Sequence, residues 1–203
     1  MKKIIILLVL TFTAWLSQAQ TATLKPGDPA PDFKLKNVDN KEVSFASFPK
    51  AKGFIVVFTC NTCPYAVAYE QRIIELDKKF RPQGYPVIAI NPNDPEASKA
   101  DAFNKMQDLA KEKNYPFPYL FDAGQVITDQ YGAKHTPHIF IVSKTSKGNV
   151  IEYVGAIDND PEGTKAEKTK YAEDAIAALQ SNKKPAVTQT KEIGCTVKRK
   201  AKA

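Results

Sequence analysis

One stretch in the first half of the chain joins a buried strand directly to a helix. Residues 54–58 (FIVVF) form a continuous apolar run rich in β-branched side chains, which predicts a strand buried on both faces. An apolar stripe at spacings of three and four follows and predicts an amphipathic helix; its members are Ala66, Tyr69, Ile73, Leu76 and Phe80. Pro64 suits the first turn of that helix, where its missing N–H costs nothing. Residues 59–63 therefore form a tight strand-to-helix connection.

The remaining patterns extend this unit into a series of strands and helices. The apolar runs at 87–90, 139–142 and 150–154 predict strands, and alternating residues at 33–35 and 43–45 predict a β-hairpin. Helices are predicted at 102–110, at 126–131 before Gly132, and at 165–180, whereas residues 115–121, with two prolines, are predicted to be a loop. Because buried strands followed by helices form βαβ units, we expect an α/β fold: a mixed central β-sheet with helices on both faces and an N-terminal β-hairpin.

The composition suits one folded domain. Of 203 residues, 43% are hydrophobic and 25% are charged, which excludes a wholly disordered chain, and the length is too short for two sizeable cores. Lys and Arg total 29 against 22 Asp and Glu, a formal net charge of +7. The basic residues form no stripe interleaved with aromatic ones, so we expect no nucleic-acid partner. The sequence does not indicate an oligomeric state.

The N-terminus has the pattern of a secretory signal peptide. A positive start at residues 1–3 precedes an apolar run at 4–16 and the small-residue end Ser17-Gln18-Ala19. We expect cleavage after Ala19 and export to the periplasm or the exterior, with no membrane contact afterwards; an uncleaved anchor is the alternative. The predicted organisation is a signal peptide at 1–19, a folded domain at 20–182, and a polar tail at 183–203 that contains Cys195.

The strand-to-helix connection carries two of the three cysteines, Cys60 and Cys63. In an exported protein, two close thiols favour a disulfide. The first turn of a helix stabilises a thiolate, so the pKa of Cys60 is expected to fall; Cys60 is then the nucleophile and Cys63 the resolving thiol. Asn61 and Thr62 carry no charge, which leaves the helix dipole to set that pKa. The alternatives are a structural disulfide or half of a zinc site.

Two segments together identify a family resemblance. Residues 58–64 (FTCNTCP), with Thr136-Pro137 before a late strand, resemble the thioredoxin superfamily, and the lead-in at 26–33 (PGDPAPDF) is similar to its redoxin branch, which includes peroxiredoxins and periplasmic thiol-disulfide reductases. The likeness covers residues 25–182, so the resemblance implies a thioredoxin-like domain there. It also implies a cis bond at Pro137 against the cysteine pair, with Thr136 offering backbone groups to a substrate peptide.

The resemblance implies an exported thiol-disulfide oxidoreductase that reduces or exchanges disulfides in protein substrates, with a thiol as electron donor or acceptor. A redox-active Cys60–Cys63 disulfide would serve in place of a cofactor, and no metal is expected. The chain departs from thioredoxins at Thr59, where a Trp is usual, and at Phe54, where a buried acid is usual. The proton shuttle for Cys63 is therefore unassigned; Glu70, two helical turns beyond, is either that group or a surface carboxylate.

Two other functions remain as alternatives. Peroxiredoxins resemble a Pro-x-x-x-Thr-x-x-Cys pattern, but Gly53 and Val57 occupy the first and fifth positions here, which ranks a thiol peroxidase second. His135 and His138 flank the Thr136-Pro137 bond and either modulate the pair or complete a Cu(I) or zinc site, as in a copper-binding thioredoxin-fold chaperone.

The neighbours of the pair, Thr59, Asn61, Thr62 and Pro64, are further candidate modulators. Cys195 is either a packed structural thiol or a third redox thiol that resolves or caps Cys60.

Overall fold

The computed structural model describes residues 22–200, so the predicted signal peptide at 1–19 lies outside the described residues. The strands are β1 (Leu35–Asn37), β2 (Glu42–Val43), β3 (Gly53–Phe58), β4 (Val87–Asn91), β5 (Tyr119–Phe121), β6 (His135–Thr136), β7 (His138–Thr145), β8 (Gly148–Gly155) and β9 (Cys195–Thr196). The α-helices are α1 (Pro64–Phe80), α2 (Phe103–Glu112), α3 (Val126–Tyr131) and α4 (Tyr171–Gln180). Between residues 22 and 200, no helix is long and apolar enough to cross a membrane.

Seven strands form one mixed sheet in the order β2-β1-β5-β4-β3-β7-β8. β3, β4 and β5 run parallel, whereas β7 runs antiparallel to β3 and β8 antiparallel to β7. β1 and β2 pair antiparallel, with Leu35 opposite Val43, which confirms the predicted hairpin. β6 and β9 form a second, two-stranded sheet. The expected α/β class and the mixed central sheet are confirmed.

β3 shows why helices cover both faces of the sheet. All six of its residues are buried. Ile55 and Val57 point into a core shared with α1, α2 and α4, whereas Phe54, Val56 and Phe58 point into a second core that includes residues of α3. The continuous apolar run in the sequence is therefore the mark of a central strand whose alternate side chains fill two cores.

One predicted loop contains a strand. Residues 119–121, expected to be part of a loop at 115–121, form β5, which pairs with both β4 and β1. The Tyr119 N–H also donates to the side-chain oxygen of Asn37 at 2.8 Å. Pro116 and Pro118 precede the strand and leave its backbone donors free to pair. Three residues are too few for an alternating pattern to show, so the loop prediction was wrong at this point.

The last helix begins later than predicted. α4 starts at Tyr171 and not at residue 165, because side-chain hydrogen bonds hold the preceding segment in a non-helical conformation. The carboxylate of Asp160 accepts the N–H groups of Thr164 at 3.0 Å and Lys165 at 3.2 Å, and the side-chain oxygen of Asn159 accepts the N–H of Thr169 at 2.9 Å. These bonds hold the backbone of residues 164–169 in an irregular conformation, and a helix at these positions would lose them.

Two irregular segments cover the outer edge of β8. On one side, residues 27–30 pair with it, and the Ile151 N–H donates to the carbonyl of Asp28 at 2.9 Å. Farther along, the Val154 N–H donates to the carbonyl of Thr188 at 3.1 Å, and the Thr190 N–H donates to that of Val154 at 3.0 Å. The tail after α4 is thus attached to the edge of the main sheet before it reaches β9.

His138 begins β7 with its side chain in an apolar environment. It is 1% exposed, its ring centroid lies 4.6 Å from that of Phe140, and its Nδ1 has no hydrogen-bond partner among the described residues. Burial lowers the pKa of His138 from 6.5 to about 4; Glu192 acts in the opposite direction, and His135 and Lys134 lower the pKa further. The folded protein therefore holds His138 as a neutral ring.

Replacing His138 with Phe should weaken the pH dependence of stability in mildly acidic solution. Below pH 6.5 the unfolded chain binds a proton on His138, whereas the folded chain does so only near pH 4. The free energy of unfolding of the wild type should therefore fall through this window, by roughly 3 kcal/mol at most, and His138→Phe should lack this loss. Urea unfolding of both proteins at neutral pH and near pH 4.5 measures how the free energy of unfolding of each changes with pH. An equal change in the free energy of unfolding with pH in the two proteins would contradict a neutral His138 in the folded protein.

Candidate active site

Cys60 and Cys63 lie at the junction between β3 and α1, as the sequence predicts. Cys60 is the second residue after β3, and Cys63 is the N-cap residue of α1, with Pro64 in the first turn. Thr59 is buried and continues the sheet, since its N–H donates to the carbonyl of Ile90 at 2.9 Å. Cys60 and Cys63 are each 6% exposed. Both thiols therefore lie beneath the surface.

The connection between β6 and β7 brings Thr136 against both sulfur atoms. Cys60 Sγ lies 3.2 Å from Thr136 Oγ1, and Cys63 Sγ lies 3.2 Å from the Thr136 carbonyl oxygen. The Thr136–Pro137 peptide bond is cis, as the resemblance implies. Antiparallel pairing of β3 with β7 places the ends of the two strands side by side, which explains how residues far apart in the sequence meet here.

The disulfide of this structure joins Cys63 to Cys195, whereas Cys60 is free and buried. The Cα atoms of Cys63 and Cys195 are 6.0 Å apart, and the two residues lie 132 positions apart in the sequence. The expected Cys60–Cys63 bond is therefore absent from this state of the described chain. Cys195, considered either a packed structural thiol or a third redox thiol that resolves or caps Cys60, is bonded to Cys63 here, because pairing of β9 with β6 brings it there. The carbonyl of Thr136 beside Cys63 accepts no proton from it, since the oxidised sulfur carries none.

Burial raises the pKa of the Cys60 thiol, and the negative charge of Asp101 raises it further. The hydrogen bond with the Thr136 hydroxyl and the backbone N–H groups of Thr62 and Cys63 act in the opposite direction without overcoming the burial. The expectation that the helix N-terminus lowers this pKa was wrong for the present state. At a thiol that is 6% exposed, desolvation outweighs the hydrogen bonds that favour the thiolate.

A fully buried carboxylate, which the sequence patterns did not single out, supports the cysteine loop. Asp101 accepts the backbone N–H of Asn61 at 2.7 Å and the side-chain N–H of Asn91 at 3.1 Å. Its other oxygen accepts from the side chains of Asn93 at 2.9 Å and Ser98 at 2.6 Å. These four bonds stabilise a buried charge that would otherwise be costly, and one of them fixes the residue that follows Cys60.

Tyr119 extends this network from β5. Its hydroxyl accepts the side-chain N–H of Asn91 at 2.9 Å and donates to the side-chain oxygen of Asn61 at 2.8 Å. Burial raises the pKa of Tyr119 well above its usual value, and the nearby Cys60 and Asp101 raise it further, so the hydroxyl remains a donor. The Asn-rich turn at 91–95 is the one sequence signal near this network, and it predicts a turn without indicating what the side chains contact.

The other residues considered from the sequence have different surroundings. Glu70 accepts the hydroxyl hydrogen of Tyr115 at 2.8 Å and lies 3.8 Å from the Lys113 amine, which are not groups of the cysteine loop. His135 Nδ1 lies 2.8 Å from a carboxylate oxygen of Glu192, in the tail. Thr62 and Pro64 are exposed. In the part of the chain that the structure describes, no three His, Cys, Asp or Glu side chains are arranged to hold a metal ion.

Comparisons with known proteins agree with this arrangement. Residues 26–153 match the AhpC/TSA family. The chain is 24% identical over 154 residues to the thiol-disulfide oxidoreductase ResA of Geobacillus thermodenitrificans, covering 72% of this chain and 82% of that protein. It is 30% identical over 120 residues to the chloroplastic peroxiredoxin Q of Populus jackii, covering 55% of this chain and 48% of that protein. The crystal structure of an uncharacterized conserved protein from Geobacillus kaustophilus superposes with a TM-score of 0.80 at 30% identity, over 88% of this chain and 94% of that one.

The matched segment contains Cys60, Cys63 and the cis Thr136–Pro137 bond, whereas Cys195 lies beyond it. The similar proteins include both a thiol-disulfide oxidoreductase and a peroxiredoxin, which supports an oxidoreductase activity. By the family match and by its fold, this chain belongs to the AhpC/TSA family, in the redoxin branch of the thioredoxin superfamily.

Proposed function

We propose that the protein is an exported thiol-disulfide oxidoreductase that acts on disulfides in other proteins. The observation that carries the proposal is the placement of both cysteine sulfurs within 3.2 Å of Thr136, directly before a cis proline and at the start of α1. The similarity to ResA supports the same activity. Export rests on the signal-peptide pattern of residues 1–19.

The proposed reaction has two exchange steps. The Cys60 thiolate attacks one sulfur of a substrate disulfide, which forms a mixed disulfide and releases the other substrate sulfur as a thiolate. Cys63 then attacks Cys60 Sγ, forms the Cys60–Cys63 disulfide and releases the second substrate thiol. Two electrons pass to the substrate, and an external thiol returns the pair to its reduced form. Since electrons pass from thiol to thiol, this reaction needs no cofactor.

The residues around the pair have separate tasks in this reaction. The Thr136 hydroxyl, 3.2 Å from Cys60 Sγ, stabilises the thiolate by a hydrogen bond. The backbone beside Pro137 offers pairing groups to an extended substrate peptide. Tyr65 and Val67, in the first turns of α1, are 41% and 54% exposed and provide an apolar surface next to the cysteines. Such a surface suits a protein substrate better than a small thiol.

Replacing Cys60 with Ser should reduce the catalysed reduction of insulin by dithiothreitol to the uncatalysed rate, because the attacking sulfur is lost. Cys63→Ser should also block turnover but should accumulate mixed disulfides with insulin, because Cys60 can attack and cannot be released. Turbidity of the released insulin chains measures turnover, and non-reducing electrophoresis detects the trapped complex. Full activity in Cys60→Ser, or a trapped complex in Cys60→Ser and not in Cys63→Ser, would refute the assigned roles.

Asp101 offers a test of how the loop sets thiol reactivity. Replacing Asp101 with Asn removes the negative charge that raises the pKa of Cys60 and keeps an oxygen for the Asn61 N–H, so this pKa should fall. The rate of Cys60 alkylation as a function of pH, measured on the folded variants, should then show a midpoint at lower pH. Asp108→Asn is the matched control, because the Asp108 side chain is 71% exposed and pairs with Lys105. An unmoved or higher midpoint in folded Asp101→Asn would exclude this role.

A thiol peroxidase is the second candidate function, favoured by the similarity to peroxiredoxin Q and by the free, hydrogen-bonded Cys60. In that reaction, Cys60 attacks a peroxide oxygen and becomes a sulfenic acid, with release of water or an alcohol. Gly53 and Val57 stand where the peroxidase pattern has Pro and Thr, so we expect peroxide consumption to be slow compared with disulfide exchange. Competition between hydrogen peroxide and insulin for the reduced protein measures the preference. Faster consumption of peroxide than of insulin disulfides would make the thiol peroxidase the first candidate function and thiol-disulfide exchange the second.

A further inference from the structure

The tail reaches the cysteine pair as an extended strand. β9 pairs antiparallel with β6, so that Cys195 lies opposite Thr136. Directly after β9, the Val197 N–H donates to the carbonyl of Lys134 at 2.9 Å, and Val197 is 4% exposed. The tail is therefore a bound peptide segment along the residues that precede the cis proline.

A second set of contacts holds the segment beyond the strand. The Lys198 N–H donates to the side-chain oxygen of Asn93 at 2.8 Å. The Lys198 carbonyl accepts the N–H of Asp94 at 2.9 Å and the side-chain N–H of Gln125 at 3.0 Å. On the side of the tail, all three bonds are made by backbone groups of Lys198, as in peptide recognition by strand addition, where main-chain pairing gives affinity.

Gly194 marks the closest approach of the tail to the cis bond. A Cβ atom at this position would lie 2.3 Å from the Thr136 carbonyl oxygen and 3.0 Å from the Pro137 nitrogen. Side chains larger than a hydrogen therefore do not fit without movement of the backbone. The segment 194–197 thus combines a small residue beside the cis bond, a cysteine beside Cys63 and a buried apolar residue beyond the strand.

The tail thus lies where the proposed reaction needs a substrate. It is extended, it pairs with the backbone before Pro137, and its cysteine is disulfide-bonded to one member of the pair. These are the features of a mixed disulfide formed within one chain; here it lies on Cys63, so that Cys60 takes the resolving role which Cys63 has toward an external substrate. Cys60, Cys63 and Ala66 form one buried cluster with Cys195 packed against it.

We propose that the tail is an internal substrate and that Cys195 is a third redox-active thiol, an inference that rests on the proposed thiol-disulfide exchange. In the exchange, the Cys60 thiolate attacks Cys63 Sγ. The Cys60–Cys63 disulfide forms, the Cys63–Cys195 bond breaks, and Cys195 leaves as a thiolate that takes up the proton lost by Cys60. One disulfide replaces another, so the step needs neither an oxidant nor a reductant.

The surroundings of Cys60 fit this role. The sulfur atoms of Cys60 and Cys63 both contact Thr136, so the attacking and the attacked atom lie beside the same residue. Burial raises the pKa of Cys60, which keeps the thiol protonated and the exchange slow near neutral pH. Once Cys195 is released, only non-covalent contacts hold the strand, and an external peptide can displace it from β6.

The test is a thiol-trapping experiment on the oxidised full-length protein. Samples incubated at mildly alkaline pH are quenched with N-ethylmaleimide, digested without reduction and mapped by mass spectrometry. We expect one label per molecule, divided between Cys60 and Cys195, since both disulfides are populated. In Cys60→Ser the exchange cannot start, so Cys195 should remain unlabelled. Label on Cys60 alone at all times would show that the Cys63–Cys195 disulfide does not exchange, which would overturn the inference. Label on Cys195 alone would show that this disulfide is not populated, which would overturn it as well.

A glycine variant tests whether docking of the strand controls the exchange. Gly194→Ala introduces the Cβ that meets Thr136, so the ratio of label on Cys195 to label on Cys60 should rise at least about fivefold relative to the wild type. Val187→Ala is the matched control, because Val187 is 44% exposed and precedes the strand; its labelling should equal that of the wild type. Equal labelling of Gly194→Ala and wild type would contradict the internal-substrate role.

Insulin reduction by the wild type and by Cys195→Ser separates this inference from the proposed function. If both proteins reduce insulin and label remains on Cys60 alone, the proposed function stands and the inference fails. If neither reduces insulin while the label is divided, the internal exchange is supported and the activity on protein disulfides fails. We expect Cys195→Ser to be faster than the wild type, because its tail has no covalent hold on Cys63.

Discussion

The antiparallel pairing of β3 with β7 is the interaction on which the site depends. Six consecutive residue pairs hold the two strands together, from Gly53 opposite Ser143 to Phe58 opposite His138. The chain leaves β3 toward the cysteines and enters β7 from the cis proline, so a fixed register places these two loops in contact. A slip of one residue would exchange the two cores and separate Thr136 from the sulfurs at once. Rigid sheet geometry, and not the loops themselves, positions the chemistry.

Much of this arrangement could be predicted from local patterns. The strand, the two cysteines and α1 are adjacent in the sequence, so one apolar run and one helical stripe were sufficient to place Cys60 and Cys63 at a helix N-terminus. The cis proline followed from a family resemblance in a short motif. By contrast, β5 was missed because three residues show no period, and α4 was extended too far because the bonds of Asp160 to the following backbone leave no periodic signal.

The rest of the site arises from contacts between distant residues. Asp101 and Asn61 are 40 residues apart, and Cys63 and Cys195 are 132 apart. Local sequence patterns do not indicate which distant residues come into contact. The reactivity of Cys60 was also beyond local patterns, since burial and the charge of Asp101 outweigh the hydrogen bonds from the Thr136 hydroxyl and from the backbone of Thr62 and Cys63. A helix N-terminus predicts a lowered thiol pKa in an open site, and this site is closed.

The two segments that run along β8 have a consequence for the behaviour of the protein in concentrated solution. A free strand edge invites pairing with another chain. Here residues 27–30 and 188–190 occupy much of that edge, and the opposite edge of the sheet, β2, is two residues long. Neither border of the sheet therefore offers a long open template. Because the cover at 188–190 is anchored to Val154 and not to the cysteines, opening of the Cys195 end leaves the edge protected, and colloidal stability is uncoupled from the redox state of the tail.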